Sequence, residues 1–177
     1  EGNIIECTIK GKFRVKELKT TNPVAVGDNV LFEFEESNRS GVITELLERK
    51  NYILRKASNL SKQTQIIAAN IDHVFLMITM ILPETPVEFI DRFLITAEAY
   101  RIPASLIINK TDIYNEEENV RMEHMASLYG KIGYDCYRIS VKDRTGLNEL
   151  AYKMKGKISL IAGNSGVGKT TLLNTFN

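Results

Sequence analysis

Cysteine is scarce in this chain: its 177 residues carry two, Cys7 and Cys136, with no C-x-x-C spacing. That excludes a zinc ribbon or disulfide framework within this stretch and predicts reduced thiols in a cytoplasmic protein. Long apolar runs are missing as well. The run from Val74 to Leu82 is far shorter than the ~20 residues of a membrane helix, and Thr79 interrupts it. Neither a membrane span nor a signal peptide is expected, although Glu1 is not an initiator Met. Charge of one sign is also lacking, since 23 Lys and Arg face 22 Asp and Glu. Bulk charge therefore argues for no partner, and a nucleic-acid surface would have to be a local cluster. What remains is 44% hydrophobic and 25% charged residues, the balance of a globular protein with enough chain for one domain or two small ones.

The texture changes along the chain. Residues 1–56 carry short β-rich runs at Ile4 to Ile9, Phe13 to Val15, Val30 to Phe34 and Val42 to Leu47, separated by turn residues such as Gly27-Asp28 and Ser37-Asn38-Arg39-Ser40-Gly41. With no helical periodicity between them, they predict a small all-β barrel of the OB or SH3-like kind. Lys10, Lys12, Arg14 and Lys16 share one face if that stretch is a strand. A second basic set, Arg49, Lys50, Arg55, Lys56 and Lys62, follows the barrel. Both sets are candidates for RNA contact, with few aromatic stacking partners among them. From charge alone, a solvated strand face is the plainer explanation of the same residues. Residues 57–70 read as a polar linker.

From residue 71 strands alternate with helices. Val74 to Ile78 is continuously apolar, as in a strand covered on both faces. Thr85-Pro86-Val87-Glu88 predicts a capped helix with Pro at its first position, and Asn115 with Glu118 predicts a second cap. Further strands are expected at 105–108, 137–140 and 158–162, with a third helix through Leu147, Leu150, Ala151 and Met154 closed by Gly156. Repeated βα units predict a mostly parallel sheet with helices on both sides.

Three motifs sit at strand ends. Gly163-Asn164-Ser165-Gly166-Val167-Gly168-Lys169-Thr170, followed by Thr171, matches the phosphate loop G-x-x-x-x-G-K-[ST] between a strand and a helix. Glycines there let backbone N–H groups converge on phosphate, Lys169 would reach the terminal phosphates, and the Thr170 hydroxyl would hold Mg²⁺. Lys169 and Thr170 are thus the catalytic candidates. Asn109-Lys110-Thr111-Asp112 follows the 105–108 strand. Guanine presents two adjacent donors that one carboxylate can accept and adenine does not, so Asp112 would select guanine. Asn109 would brace the loop and the Lys110 stem would lie over the base. Ser140-Val141-Lys142 resembles the Ser-Ala-Lys loop of GTPases, whose backbone N–H meets the guanine oxygen.

The guanine motifs precede the phosphate loop, which reverses the usual order and predicts a circularly permuted P-loop GTPase domain over 71–177. Taken with the Gly11-Lys12-Phe13-Arg14 segment, Pro23-Val24, Val26-Gly27-Asp28, Arg55-Lys56-Ala57-Ser58-Asn59 and Ala68-Ala69-Asn70-Ile71-Asp72, the chain resembles the bacterial small-ribosomal-subunit-dependent GTPases, the RsgA or YjeQ/EngC family. The resemblance implies an OB barrel on ribosomal RNA, GTP and GDP with Mg²⁺ as ligands, hydrolysis stimulated by the small (30S) subunit late in its maturation, and a cytoplasmic monomer. It also implies switch regions, a D-x-P-G element and a zinc-binding C-terminal domain beyond Asn177, none of which lies in these residues. The expected GTPase domain is therefore partial, and hydrolysis by these residues alone impaired. Two other readings stay open at this point: an RNA-binding module whose nucleotide switches its shape without turnover, and an ATP-dependent enzyme.

Overall fold

The computed structural model describes residues 3–9, 23–56 and 64–176, apart from the side chains of residues 55, 56, 64 and 65. The chain divides into two compact units, Glu1–Asn70 and Ile71–Asn177.

The described part of the first unit is all β. β1 (Cys7–Ile9) runs parallel to β3 (Ser40–Leu46), which pairs antiparallel with β2 (Val30–Glu35). β4 (Tyr52–Lys56) and β5 (Thr64–Ala69) form a second, antiparallel ladder. The stretch expected as a linker thus contains a strand. The run Thr-Gln-Ile-Ile-Ala-Ala lacks the apolar–polar alternation that announces a strand, and it is cross-strand pairing with β4 that makes it β. A backbone bridge from Val26 to Ala68 ties β5 to the segment before β2. Arg49 also departs from expectation. Its guanidinium donates to both carboxylate oxygens of Asp28 at 2.6 Å and to the Pro23 carbonyl at 3.0 Å. Both side chains are nearly sealed from water, so Arg49 holds a turn together instead of joining a basic surface.

The second unit is a four-stranded parallel sheet in the order β8-β7-β6-β9. β6 (His73–Ile78), β7 (Ala104–Ile108) and β8 (Asp135–Arg138) are laid side by side through α1 (Val87–Ala99) and α2 (Glu116–Lys131). The chain then crosses back through α3 (Leu147–Met154) to place β9 (Ser159–Ala162) on the far side of β6, followed by α4 (Lys169–Phe176). The order therefore reverses between β6 and β9, and in such sheets ligands bind beyond the strand carboxyl ends at the reversal.

Burial follows the two-residue period of β6, whose six residues are all buried. Leu76 and Ile78 face α1 and α2 with Leu94, Leu106, Met122 and Tyr129. Phe75 and Met77 face α3 and α4 with Ile107, Leu150 and Leu172. A strand covered on both faces needs apolar residues at every position, which is why this one is legible without alternation.

The Asn115 cap forms as a reciprocal box with Glu118. The first helix starts otherwise than expected: Pro86 is its extended N-cap, with no side-chain capping bond. The Thr85 hydroxyl instead accepts the Thr79 amide at 3.2 Å, because the loop before α1 has backbone donors of its own to satisfy. No helix among the described residues is long and apolar enough to cross a membrane.

Candidate functional site

Three loops emerge from the carboxyl ends of β9, β7 and β8 and meet where the strand order reverses. Residues 163–168 leave β9 beside Met77 of β6. Gly163 has φ +145°, and a Cβ there would lie 2.3 Å from the Met77 carbonyl oxygen. Gly168 has φ +106°, and its Cβ would lie 2.4 Å from the Asn109 amide nitrogen. Both contacts require glycine, one for the sheet and one for the neighbouring loop. Val167 between them is fully buried and anchors the loop in the core.

Lys169 opens α4 and turns back into the loop, donating to the carbonyls of Gly163 at 2.9 Å and Asn164 at 2.7 Å. The ammonium is thereby held inside the curve of residues 163–168. Ser165, Gly166, Thr170 and Thr171 stay exposed around it.

Asn109 is buried and sits at the junction. Its amide donates to the Val167 carbonyl at 2.8 Å, and its side-chain oxygen accepts the Val141 N–H at 3.2 Å. One side chain thus joins all three loops. Lys110 takes a left-handed conformation, φ +68°, at the head of a single 3-10 turn, Thr111–Ile113. Its ammonium reaches the Leu82 carbonyl, a restraint that sequence reading did not anticipate.

The Asp112 side chain is 8% exposed. One of its oxygens accepts the Ser140 hydroxyl at 2.8 Å, and the other lies 3.7 Å from the ammonium of the exposed Lys142. Ser140 in turn accepts the Asp143 amide at 3.1 Å, inside a turn closed by the Ser140–Thr145 bridge. The Val141 N–H, expected to face a guanine oxygen, is engaged by Asn109.

A cavity of about 310 Å³ opens between these loops, lined by Asn109, Lys110, Asp112, Val141, Lys142 and, from the phosphate-loop segment, Gly168 and Thr171. Residues from all three motifs therefore share one pocket. Its floor offers a carboxylate, and its edge offers a glycine-rich loop ahead of a helix. Such a combination can accept two donors from a planar base and direct backbone N–H groups at an anion.

Of the basic residues proposed for RNA, Lys10, Lys12, Arg14 and Lys16 lie outside the described residues. Arg55 and Lys56 are the last two residues of β4, opposite Gln65 and Thr64. His124 is exposed on α2, and His73 is buried at the opposite end of the sheet from the pocket, bonded to Ser105. Among the described residues no three His, Cys, Asp or Glu side chains gather as a metal site. A Mg²⁺ beside the loop would rely on the Thr170 hydroxyl, phosphate oxygens and water, which is the donor set this ion favours with nucleotides.

A parallel sheet in this order, with its glycine-rich loop on the last strand and the N-K-x-D segment on an earlier one, defines a circularly permuted P-loop GTPase fold behind an OB-type β unit. Family models agree: the RsgA GTPase model matches residues 46–177 and the RsgA N-terminal domain model residues 1–43. The chain belongs to the RsgA GTPase family. It is 53% identical to the small ribosomal subunit biogenesis GTPase RsgA of Christiangramia forsetii and 51% identical to that of Flavobacterium johnsoniae, with 99% of the chain aligned to each. The crystal structure of YjeQ from Thermotoga maritima superposes with a TM-score of 0.80 at 38% identity, covering 99% of this chain and 58% of that one. A second solved structure, YloQ, described as a circularly permuted GTPase, gives 0.74 at 31% identity, covering 98% of this chain and 56% of that one. The chain spans 56% of the length of the Christiangramia relative and 55% of the Flavobacterium one.

Proposed function

We propose that this chain supplies the guanine-reading and phosphate-holding parts of a GTP-hydrolysing factor that acts late in maturation of the small ribosomal subunit, in the cytoplasm and as a monomer. The observation that carries the reading is the single pocket shared by Asn109, Asp112, Val141 and Gly168. Relatives named small ribosomal subunit biogenesis GTPase support the partner. The β unit would contact ribosomal RNA, with Arg55, Lys56 and the basic residues 10–16 as candidates.

In this reading Asp112 accepts the ring N–H and exocyclic amine of guanine, while Ser140 holds the carboxylate in plane. Asn109 keeps the base-reading and phosphate loops in register. Lys142 and the Lys110 stem flank the base. Residues 163–168 turn their amides toward phosphate oxygens, and Lys169 exchanges its two carbonyl contacts for the terminal phosphates. Thr170 would ligate Mg²⁺, which supplies further charge neutralisation when bound. The work is electrostatic: fixed donors meet charge that grows on the phosphate oxygens.

The experiment that tests it is Asp112→Asn. An amide nitrogen suits the extra carbonyl of xanthine, so preference should move from GDP to XDP by roughly a hundredfold in the ratio of dissociation constants. GDP preference persisting in Asp112→Asn would remove Asp112 as the base-reading residue.

A further inference from the structure

Tyr114 carries no motif, yet its hydroxyl occupies the centre of the base-reading loop. The residue is 8% exposed. Its hydroxyl accepts the Met80 amide at 2.9 Å and donates to the Asn109 carbonyl at 2.5 Å. Asn109 is the residue whose side chain joins the other two loops, so its backbone and its amide are restrained by different partners.

Met80 belongs to a loop, residues 79–85, that is itself tightly closed. The Thr85 amide donates to the Thr79 carbonyl at 3.0 Å, the Thr79 hydroxyl donates to the Pro83 carbonyl, and the Thr85 hydroxyl accepts the Thr79 amide. Two separate links run between this loop and the base-reading segment: the Lys110 ammonium donates to the Leu82 carbonyl, and the Met80 amide donates to the Tyr114 hydroxyl, which donates on to Asn109. The same loop lies against the phosphate loop, since a Cβ on Gly166 would sit 3.5 Å from Pro83 Cδ. Tyr114 is held from behind as well. Its carbonyl accepts the Asn119 amide at 3.2 Å, one turn into the helix capped by Asn115.

We propose that Tyr114 is a positioning residue for base selection: its hydroxyl clamps the Asn109 backbone to the 79–85 loop and so sets where Asp112 meets the base. The inference rests on the guanine reading given above. Asp112 lies three residues after Asn109 across one short turn, so a shift of the Asn109 carbonyl carries the carboxylate with it. Burial pushes the phenol's pKa up from its ordinary value, which keeps it a donor at every working pH. The hydroxyl also satisfies two buried backbone groups at once. Removing it orphans both, and the loop must move to rehydrate them.

Tyr114→Phe keeps the ring and deletes both bonds. The measurement is the dissociation constants of GDP and IDP for the wild type and the variant, because inosine lacks the exocyclic amine that a well-placed Asp112 accepts. The wild type should prefer GDP, and Tyr114→Phe should reduce the IDP-to-GDP ratio by about fivefold. A purely structural role would weaken both nucleotides alike, so an unchanged ratio beside an intact wild-type preference would overturn the inference alone. No GDP preference in the wild type would overturn the guanine reading and this inference with it. If Tyr114→Phe does not fold, Asn119→Ala loosens Tyr114 from behind and should move the same ratio in the same direction. An unchanged ratio there overturns the inference equally.

Discussion

The two ends of the parallel sheet are both polar, but their polar groups are spent differently. At the carboxyl end, most side chains bond to backbone: Asn109 to Val167 and Val141, Lys169 to Gly163 and Asn164, Tyr114 to Met80 and Asn109, while Asp112 pairs with the Ser140 hydroxyl. At the amino end, side chains mostly bond to each other. His73 meets the Ser105 hydroxyl at 2.8 Å and Lys153 meets Asp135 at 2.7 Å. A loop whose backbone is held by side chains keeps its shape while Asp112 lines the pocket. His73 with Ser105, and Lys153 with Asp135, satisfy one another. In the proposed function the first would be the binding edge of the sheet and the second a stabilising one.

The comparison breaks most visibly at Lys169. Lys169→Ala should weaken GDP binding by a hundredfold or more, about 3 kcal/mol or above, while the urea midpoint stays close to wild type. Calorimetric titration beside equilibrium unfolding checks both halves, and unchanged GDP affinity would dismiss the phosphate-loop assignment.

His73 gives the converse. Burial foremost, then the charges of Lys153 and Lys157 against an opposing influence from Asp135, lowers its pKa from 6.5 to about 4. The folded protein therefore holds His73 neutral where the unfolded chain takes up a proton. Its contribution to stability is complete above pH 6.5 and is lost as pH falls from 6.5 toward 4, by roughly 3 kcal/mol. Urea unfolding across that range should show the loss, and His73→Leu should flatten it while leaving GDP affinity at pH 7.5 unchanged. A pH slope identical in the variant would assign the effect elsewhere.

The smallest effect belongs to the rim of the amino end. Lys153→Met should cost less than about 1 kcal/mol, because Asp135 is 57% exposed and such pairs are screened by water and salt. A loss of several kcal/mol, read by the same unfolding measurement, would mean that this pair is part of the core.

Legibility in the sequence followed locality. The strand, glycine turn and helix around residues 159–176 could be read because their signals are local: an apolar run, glycines where φ is positive, and a helical pattern after Lys169. The Asn115 cap was equally local. Strand β5 was not readable, since residues 64–69 are β only through pairing with β4 and the bridge to Val26. Arg49 looked like surface charge because its partner, Asp28, lies 21 residues away in sequence. Tyr114 escaped notice for the same reason. Its partner Met80 is 34 residues distant, and no spacing rule connects an aromatic after N-K-x-D to a loop before α1.

The strand order also bears on synthesis. Asn109 and its carbonyl acceptor on Val167 are separated by 58 residues, so the base-reading loop leaves the ribosome well before the loop that completes it. At about 5–20 residues per second the interval is roughly 3–12 s. During that time β6, β7 and β8 can already be paired, and Tyr114 can already bridge Met80 and Asn109, while the amide of Asn109 has no Val167 to meet. The nascent chain thus passes through a stage in which residues 109–112 are folded without residues 163–168, and in the proposed function ligand capture has to wait for the second segment.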